Sequence, residues 1–204
     1  MAGCGCEVEI KDKSERRVLV ALLLINGVMF VAEFIVGWWA QSTALIADAL
    51  DMLADAMVYG VGLYAVGRSL LVKAHAARIS GVLQVLLGLL VLIDILRRFV
   101  VGSEPVSILM MGMGLIALVA NITCLVLISK HREAEVHMRA SWIFSKNDVI
   151  ANLGVILAGG LVAWTGSRLP DLVIGLLVAL IVIRGGVLIL QDTKATRADH
   201  LKQA

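Results

Sequence analysis

Three aspartates, Asp48, Asp51 and Asp55, fall within eight residues of a stretch that otherwise reads as a lipid-buried helix. Insertion scales put the cost of a charged side chain at a transmembrane helix centre at about 2.5–3.5 kcal/mol. A chain that places three there must surround them with other helices, and a further aspartate, Asp148, lies midway along another apolar stretch. Ionisable groups at such depth handle an ion, a proton or a polar substrate more often than they serve packing.

The rest of the 204-residue chain fits that demand, being 60% hydrophobic with a mean hydropathy of +0.93. Lipid offers no water to unpaired backbone groups, so the expected fold is an all-α membrane protein. Six apolar stretches are long enough to span, at residues 18–39, 43–66, 79–96, 106–129, 140–164 and 172–190, each of roughly 20 residues. The expected organisation is a cytoplasmic amino-terminal tail (1–17), a six-helix transmembrane domain (18–190) and a short cytoplasmic tail (191–204) too small for a domain. Basic residues precede the first stretch, but no small-residue cleavage site follows it, so it does not read as a signal peptide.

Orientation follows from Lys and Arg in the short loops. One side carries Lys11, Lys13, Arg16, Arg17, Arg68, Lys73, Arg78, Lys130, Arg132, Arg139, Lys194, Arg197 and Lys202, and the other only Arg97, Arg98 and Arg168. Both termini are therefore expected in the cytoplasm. Cys4 and Cys6 would lie on that reducing side and Cys124 inside the fourth stretch, so no disulfide framework is expected. There is no GxxxxGK[ST] phosphate loop, so any transport must draw on ion gradients.

Asp51 and Asp55 are four residues apart, which on a helix sets them about 40° and about 6 Å apart on one face. Asp48 continues the stripe. Asp148 lies about nine residues from the cytoplasmic end of its helix, or about 13 Å deep, level with Asp55 to within a turn. Carboxylates from two helices at one depth could form a compact divalent-cation site, and zinc takes four ligands, with oxygens at about 2.0–2.2 Å. Asn147 adjoins Asp148 but points about 100° away, and reads equally as a ligand or as interhelical glue. Ser145, Asn152, Asn26 and Asn121 read as glue. Glu33 is an ionisable residue that could serve ion access or a proton path. His131 and His137, with Glu133 and Glu135, could gather cytosolic metal, against the plainer reading of a solvated charged loop. Polar positions turn the first, second, fourth and fifth helices inward and leave the third and sixth peripheral, free to form a dimer contact.

The segment Ser42-Thr-Ala-Leu-Ile-Ala-Asp48-Ala-Leu-Asp51-Met-Leu-Ala-Asp55 resembles the second-helix signature of the cation diffusion facilitators, six-helix divalent-metal/proton antiporters. Asn147-Asp148-Val-Ile-Ala-Asn resembles their fifth-helix signature, and Leu169-Pro-Asp171-Leu-Val-Ile-Gly the start of the sixth helix. The resemblance covers all six stretches and implies that Asp51, Asp55 and Asp148 bind the metal. Phe144 stands where the family carries a ligating His or Asp. A fourth ligand would then come from Asp48, Asn147 or water. Without imidazole the set is all-oxygen and harder, which still admits zinc and keeps cadmium, cobalt, manganese and iron open. The family usually carries a cytoplasmic domain after the sixth helix, so the resemblance is to a short form in which membrane helices alone would make the homodimer.

The expectation is a proton-coupled exporter of a divalent metal, zinc foremost, in a bacterial inner membrane. The metal is substrate, no cofactor is required, and the other partners are protons and lipid, with no nucleic acid. Two rivals remain: an intramembrane CDP-alcohol phosphotransferase, whose additional Asp-Gly-x-x-Ala-Arg run is missing here, and a non-transporting metal sensor.

Overall fold

The computed structural model describes residues 13–65, 70–129 and 136–203, and nearly all of them are helical. The helices are α1 (Lys13–Trp39), α2 (Thr43–Ala65), α3 (Leu70–Val101), α4 (Ser107–Ser129), α5 (Val136–Thr165) and α6 (Leu169–Gln203). Each corresponds to one of the six expected stretches. Four extend well past them: α1 starts at Lys13, α3 at Leu70 and α5 at Val136, while α6 runs on to Gln203 through the expected carboxy-terminal tail. Hydropathy marks only the lipid-facing part of a helix, and polar residues such as Lys, Arg and Gln prolong it readily.

Among the described residues five helices are long and apolar enough to cross a membrane: Arg16–Trp39, Ala74–Val101, Ser107–Ser129, Lys146–Thr165 and Leu169–Gln191. The protein is thus a multi-pass integral membrane protein. The expected sixth span, α2, matches α4 at 23 residues but is set apart by its three aspartates. Its neighbours enclose it, and every residue from 42 to 50 is buried.

Three apolar cores meet on α2. In the first, Met29 and Ala40 pack with Ala44, Leu45 and Met52 of α2, Met110, Met113 and Ala117 of α4, and Val155, Ala158 and Val162 of α5. The second joins Ile46, Ala47 and Leu50 to Val91 and Ile95 of α3 and to Leu172, Val178, Ala179 and Val182 of α6. The third, toward the other end of α2, joins Tyr59 to Leu19 and Leu22 of α1 and to Cys124 and Ile128 of α4.

The turn into α2 is tightly specified. Gln41 takes a left-handed conformation, with φ 49°. Its amide donates to the Trp38 carbonyl and the next amide, of Ser42, to the Gly37 carbonyl, the pairing that closes a helix with a left-handed residue. A side chain in this conformation is uncommon, and neighbours hold it. Buried Arg98, itself paired with Asp94, donates to the Gln41 carbonyl, and the Glu104 amide donates to Gln41 Oε1.

Helices α3 and α6 touch backbone to backbone. A Cβ at Gly186 would lie 2.8 Å from the Gly81 carbonyl oxygen and 3.1 Å from the Val85 nitrogen. Alanine gains helix propensity over glycine by about 0.8–1.0 kcal/mol, but overpacking a close contact costs about 1–3 kcal/mol. Gly186→Ala is therefore expected to lower the thermal midpoint of the detergent-solubilised protein. Gly112→Ala, with nothing within 4 Å of its Cβ, is expected to hold or raise it. Equal midpoints for the two variants would contradict the close packing of α3 on α6.

Candidate metal centre

Helix α2 presents its carboxylates in one stripe because they are spaced at three and four residues. Asp48 and Asp55 are 1% and 8% exposed, and Asp51 between them is half-buried. Asp148 of α5 is 8% exposed and Glu33 of α1 is fully enclosed. The five groups fall into two contacts with Asp51 beside them. Asp55 of α2 and Asp148 of α5 are close enough to interact electrostatically. So are Glu33 and Asp48, at the other end of the stripe.

The surrounding polar groups are unevenly shared. Asn121 of α4 donates to Asn152 Oδ1 at 2.9 Å, and Asn152 Nδ2 donates to Asp48 Oδ2 at 2.5 Å. This chain ties α4, α5 and α2 together, and it is the interhelical role expected of both asparagines. Tyr59, one turn below Asp55 on the same face, donates to Asp55 Oδ2 at 3.4 Å. Asn26 donates to the Leu22 carbonyl at 2.9 Å and lies 3.8 Å from Cys124 Sγ, while its own Oδ1 is buried without a partner. Both carboxyl oxygens of Glu33 lack any donor. Asp94 of α3 forms ion pairs with Arg97 and Arg98.

Two carboxyl groups in contact inside a bundle repel unless a proton or a cation stands between them. Among the described residues no three His, Cys, Asp or Glu side chains converge closely enough to hold one ion. Asp55 and Asp148 face each other's charge, and Asp51, one turn away on α2, is partly exposed.

The other sequence-derived positions separate clearly. Asn147 is exposed on α5, on a different face from Asp148, and is not brought to the carboxylates. The 100° step between consecutive residues places it there. Asp48 is engaged by Asn152 and Glu33. His131 lies outside the described residues, and His137 falls in the first turn of α5. Tyr59 also belongs to the arrangement, and its spacing of four from Asp55 was a usable signal. Asp171 stood out in the sequence only through the family-like segment at the start of α6.

Residues 19–195 match the cation efflux transmembrane domain family. The zinc transporter ZitB of Escherichia coli is 28% identical over 196 residues, covering 90% of this chain and 62% of that protein. The cadmium, cobalt and zinc/H(+)-K(+) antiporter of Bacillus subtilis is 25% identical over 197 residues, with 88% and 62% covered. The zinc transporter ttm-1 of Caenorhabditis elegans is 26% identical over 213 residues, with 89% and 52% covered. The chain thus spans about three fifths of the length of its bacterial relatives. A cation efflux domain is a transport domain and not an enzyme, which decides against the phosphotransferase reading. With six helices and a family match running from α1 into α6, the chain belongs to the cation efflux family, the cation diffusion facilitators.

Proposed function

We propose that this domain exports a divalent transition-metal cation, zinc foremost, from the cytoplasm in exchange for protons. The observation that carries the proposal is the meeting of Asp55 of α2 with Asp148 of α5 inside the bundle, with Asp51 one turn away on α2. These three carboxylates are the metal ligands. Asp51, one turn from Asp55 on α2, is the third carboxylate, and water completes four-fold coordination. The set is all-oxygen and hard, which admits zinc and also cadmium, cobalt, manganese and iron. The names of the relatives, which cite zinc, cadmium and cobalt, favour those three among them.

Proton exchange follows from the same oxygens. A carboxyl pair in a low-dielectric interior needs a proton or a cation, and a ligand must be deprotonated to bind metal. Metal and protons therefore compete for the Asp55–Asp148 contact. Metal arriving from the cytoplasm displaces protons. After the helices rock outward, protons from the more acidic exterior displace the metal. Glu33 and Asp48 form the proton path on the outer side of the site. Raising the exterior pH should slow release.

In this reading α2 is the sixth span, shielded from lipid by its neighbours, and α1, α2, α4 and α5 form the inner bundle. Helices α3 and α6 lie at the periphery and provide the dimer contact. The excess of Lys and Arg on one side supports cytoplasmic termini, and the bacterial relatives support a bacterial inner membrane.

Proteoliposomes loaded with a metal-sensitive dye test the reading. Zinc uptake should require a pH gradient and fall at least about a hundredfold in Asp55→Ala or Asp148→Ala, each removing a ligand carboxylate. Normal gradient-driven uptake by either variant would reject the ligand assignment. Glu33→Gln puts an amide donor where the wild type needs a proton. It should raise the thermal midpoint of the metal-free protein and weaken the dependence of uptake on the pH gradient. The stability gain should grow with pH, because only the wild type has a proton there to lose. A midpoint difference that shrinks as pH rises would sink the shared-proton contact. Asn152→Leu leaves a buried carboxylate without its amide donor and should destabilise the protein by about 1–3 kcal/mol in chemical denaturation. No measurable loss would mean that the Asn121–Asn152–Asp48 chain is not intact.

A further inference from the structure

A helix begins with four backbone amides that have no partner in the helix, and a buried helix start must find them elsewhere. At α2 the residues concerned, Ser42, Thr43, Ala44 and Leu45, are all fully buried. Ser42 serves as a normal cap: its Oγ accepts from the Leu45 amide at 3.1 Å, and its carbonyl accepts from the Ile46 amide. The Thr43 and Ala44 amides are satisfied from another helix. Asp171, in the first turn of α6, accepts from the Thr43 amide through Oδ2 at 2.8 Å and from the Ala44 amide through Oδ1 at 3.0 Å. The Ser42 hydroxyl also donates to Asp171 Oδ1, at 2.6 Å.

This carboxylate sits at the amino-terminal ends of both α2 and α6, where each helix dipole favours negative charge. The backbones also meet. A Cβ at Gly175, one turn along α6, would lie 3.0 Å from the Thr43 carbonyl carbon and 3.1 Å from the Ala44 nitrogen. Nothing larger than glycine lets α6 come this close without displacing α2. Asp51 and Asp55 lie eight and twelve residues beyond Thr43, or about 12 and 18 Å along a stiff helix. A shift at the capped end is carried to them undiminished, whereas Asp148 stands on α5 and does not share it.

We propose that Asp171 is a positioning residue for the metal centre: it caps α2 from α6 and so sets the height of Asp51 and Asp55 against Asp148. The positioning half of this inference rests on the proposed metal-binding function, and the capping half does not.

The test pairs Asp171→Asn with Gly175→Ala. The first keeps the shape but removes the charge and turns one acceptor into a donor. The second keeps the carboxylate and wedges a methyl group between the two backbones. Gly112→Ala is the control. Hydrogen exchange of the protein in lipid nanodiscs reads the cap, and zinc titration of the same samples reads the site. Exchange at residues 43–46 should rise at least about tenfold in Asp171→Asn, with residues 113–121 of α4 unchanged, and the zinc dissociation constant should rise about tenfold. Gly175→Ala should move both in the same direction and Gly112→Ala neither. If Asp171→Asn does not fold, Gly175→Ala decides alone. Unchanged exchange at 43–46 would overturn the cap. Raised exchange with unchanged zinc affinity would overturn the positioning role. A wild type that binds no zinc would instead overturn the metal reading, and the exchange result would still decide whether Asp171 caps α2.

Discussion

Every carboxyl group inside this bundle must find a donor, a cation or a proton, and the fold depends on how unequally those are supplied. Asp171 receives two backbone amides and a hydroxyl. Asp94 receives Arg97 and Arg98. Both are paired with groups that cannot leave, and such groups hold structure. Asp48 has one amide donor, Asp55 one long contact to Tyr59, and Glu33 none. An under-supplied carboxylate inside a low-dielectric interior is costly, and its free energy falls when a mobile cation or proton arrives. The division between anchored and under-supplied acids is therefore also a division between scaffold and proposed transport path.

The scaffold converges on one helix. Helix α2 packs against α1, α4 and α5 through one core and against α3 and α6 through another. Its Ser42 end is fixed three times: by Asp171, by the Arg98 contact to the Gln41 carbonyl, and by the Val106 amide donating to the Ala40 carbonyl. Its opposite end lies among Leu19, Leu22, Cys124 and Ile128. A buried set of charge-assisted hydrogen bonds resists sliding, so the Ser42 end is the fixed point of α2.

Much of this was legible in the sequence, for reasons that can be named. The six stretches were visible because lipid imposes a length and an apolar composition, and the carboxylate stripe because a helix fixes the angle between residues four apart. The interhelical asparagines followed from the same rule. The true ends of α3 and α6 did not, since nothing in hydropathy distinguishes a polar helical extension from a loop. Asn147 beside Asp148 was ambiguous in one dimension and is resolved by rotation, which turns it outward. The cap on α2 lay beyond reach. Asp171 is separated from Thr43 by 128 residues, and no periodicity links a carboxylate on one helix to free amides on another.

That long-range pairing bears on how loosely the proposed metal site can be built. Asp55, Asp148 and Asp51 are near one another without closing into a ligand cage. A cage that satisfied all three in the absence of metal would have to supply donors, and each donor would then compete with the ion. A site that must both load and discharge is better left short of partners, with its geometry fixed from outside. The fixed hydrogen bonds at the head of α2 meet that requirement. They hold the backbone that carries Asp51 and Asp55 and leave the carboxyl oxygens themselves uncommitted. The carboxylate most completely bonded, Asp171, then has its effect by ordering the helix that carries two of the least bonded ones.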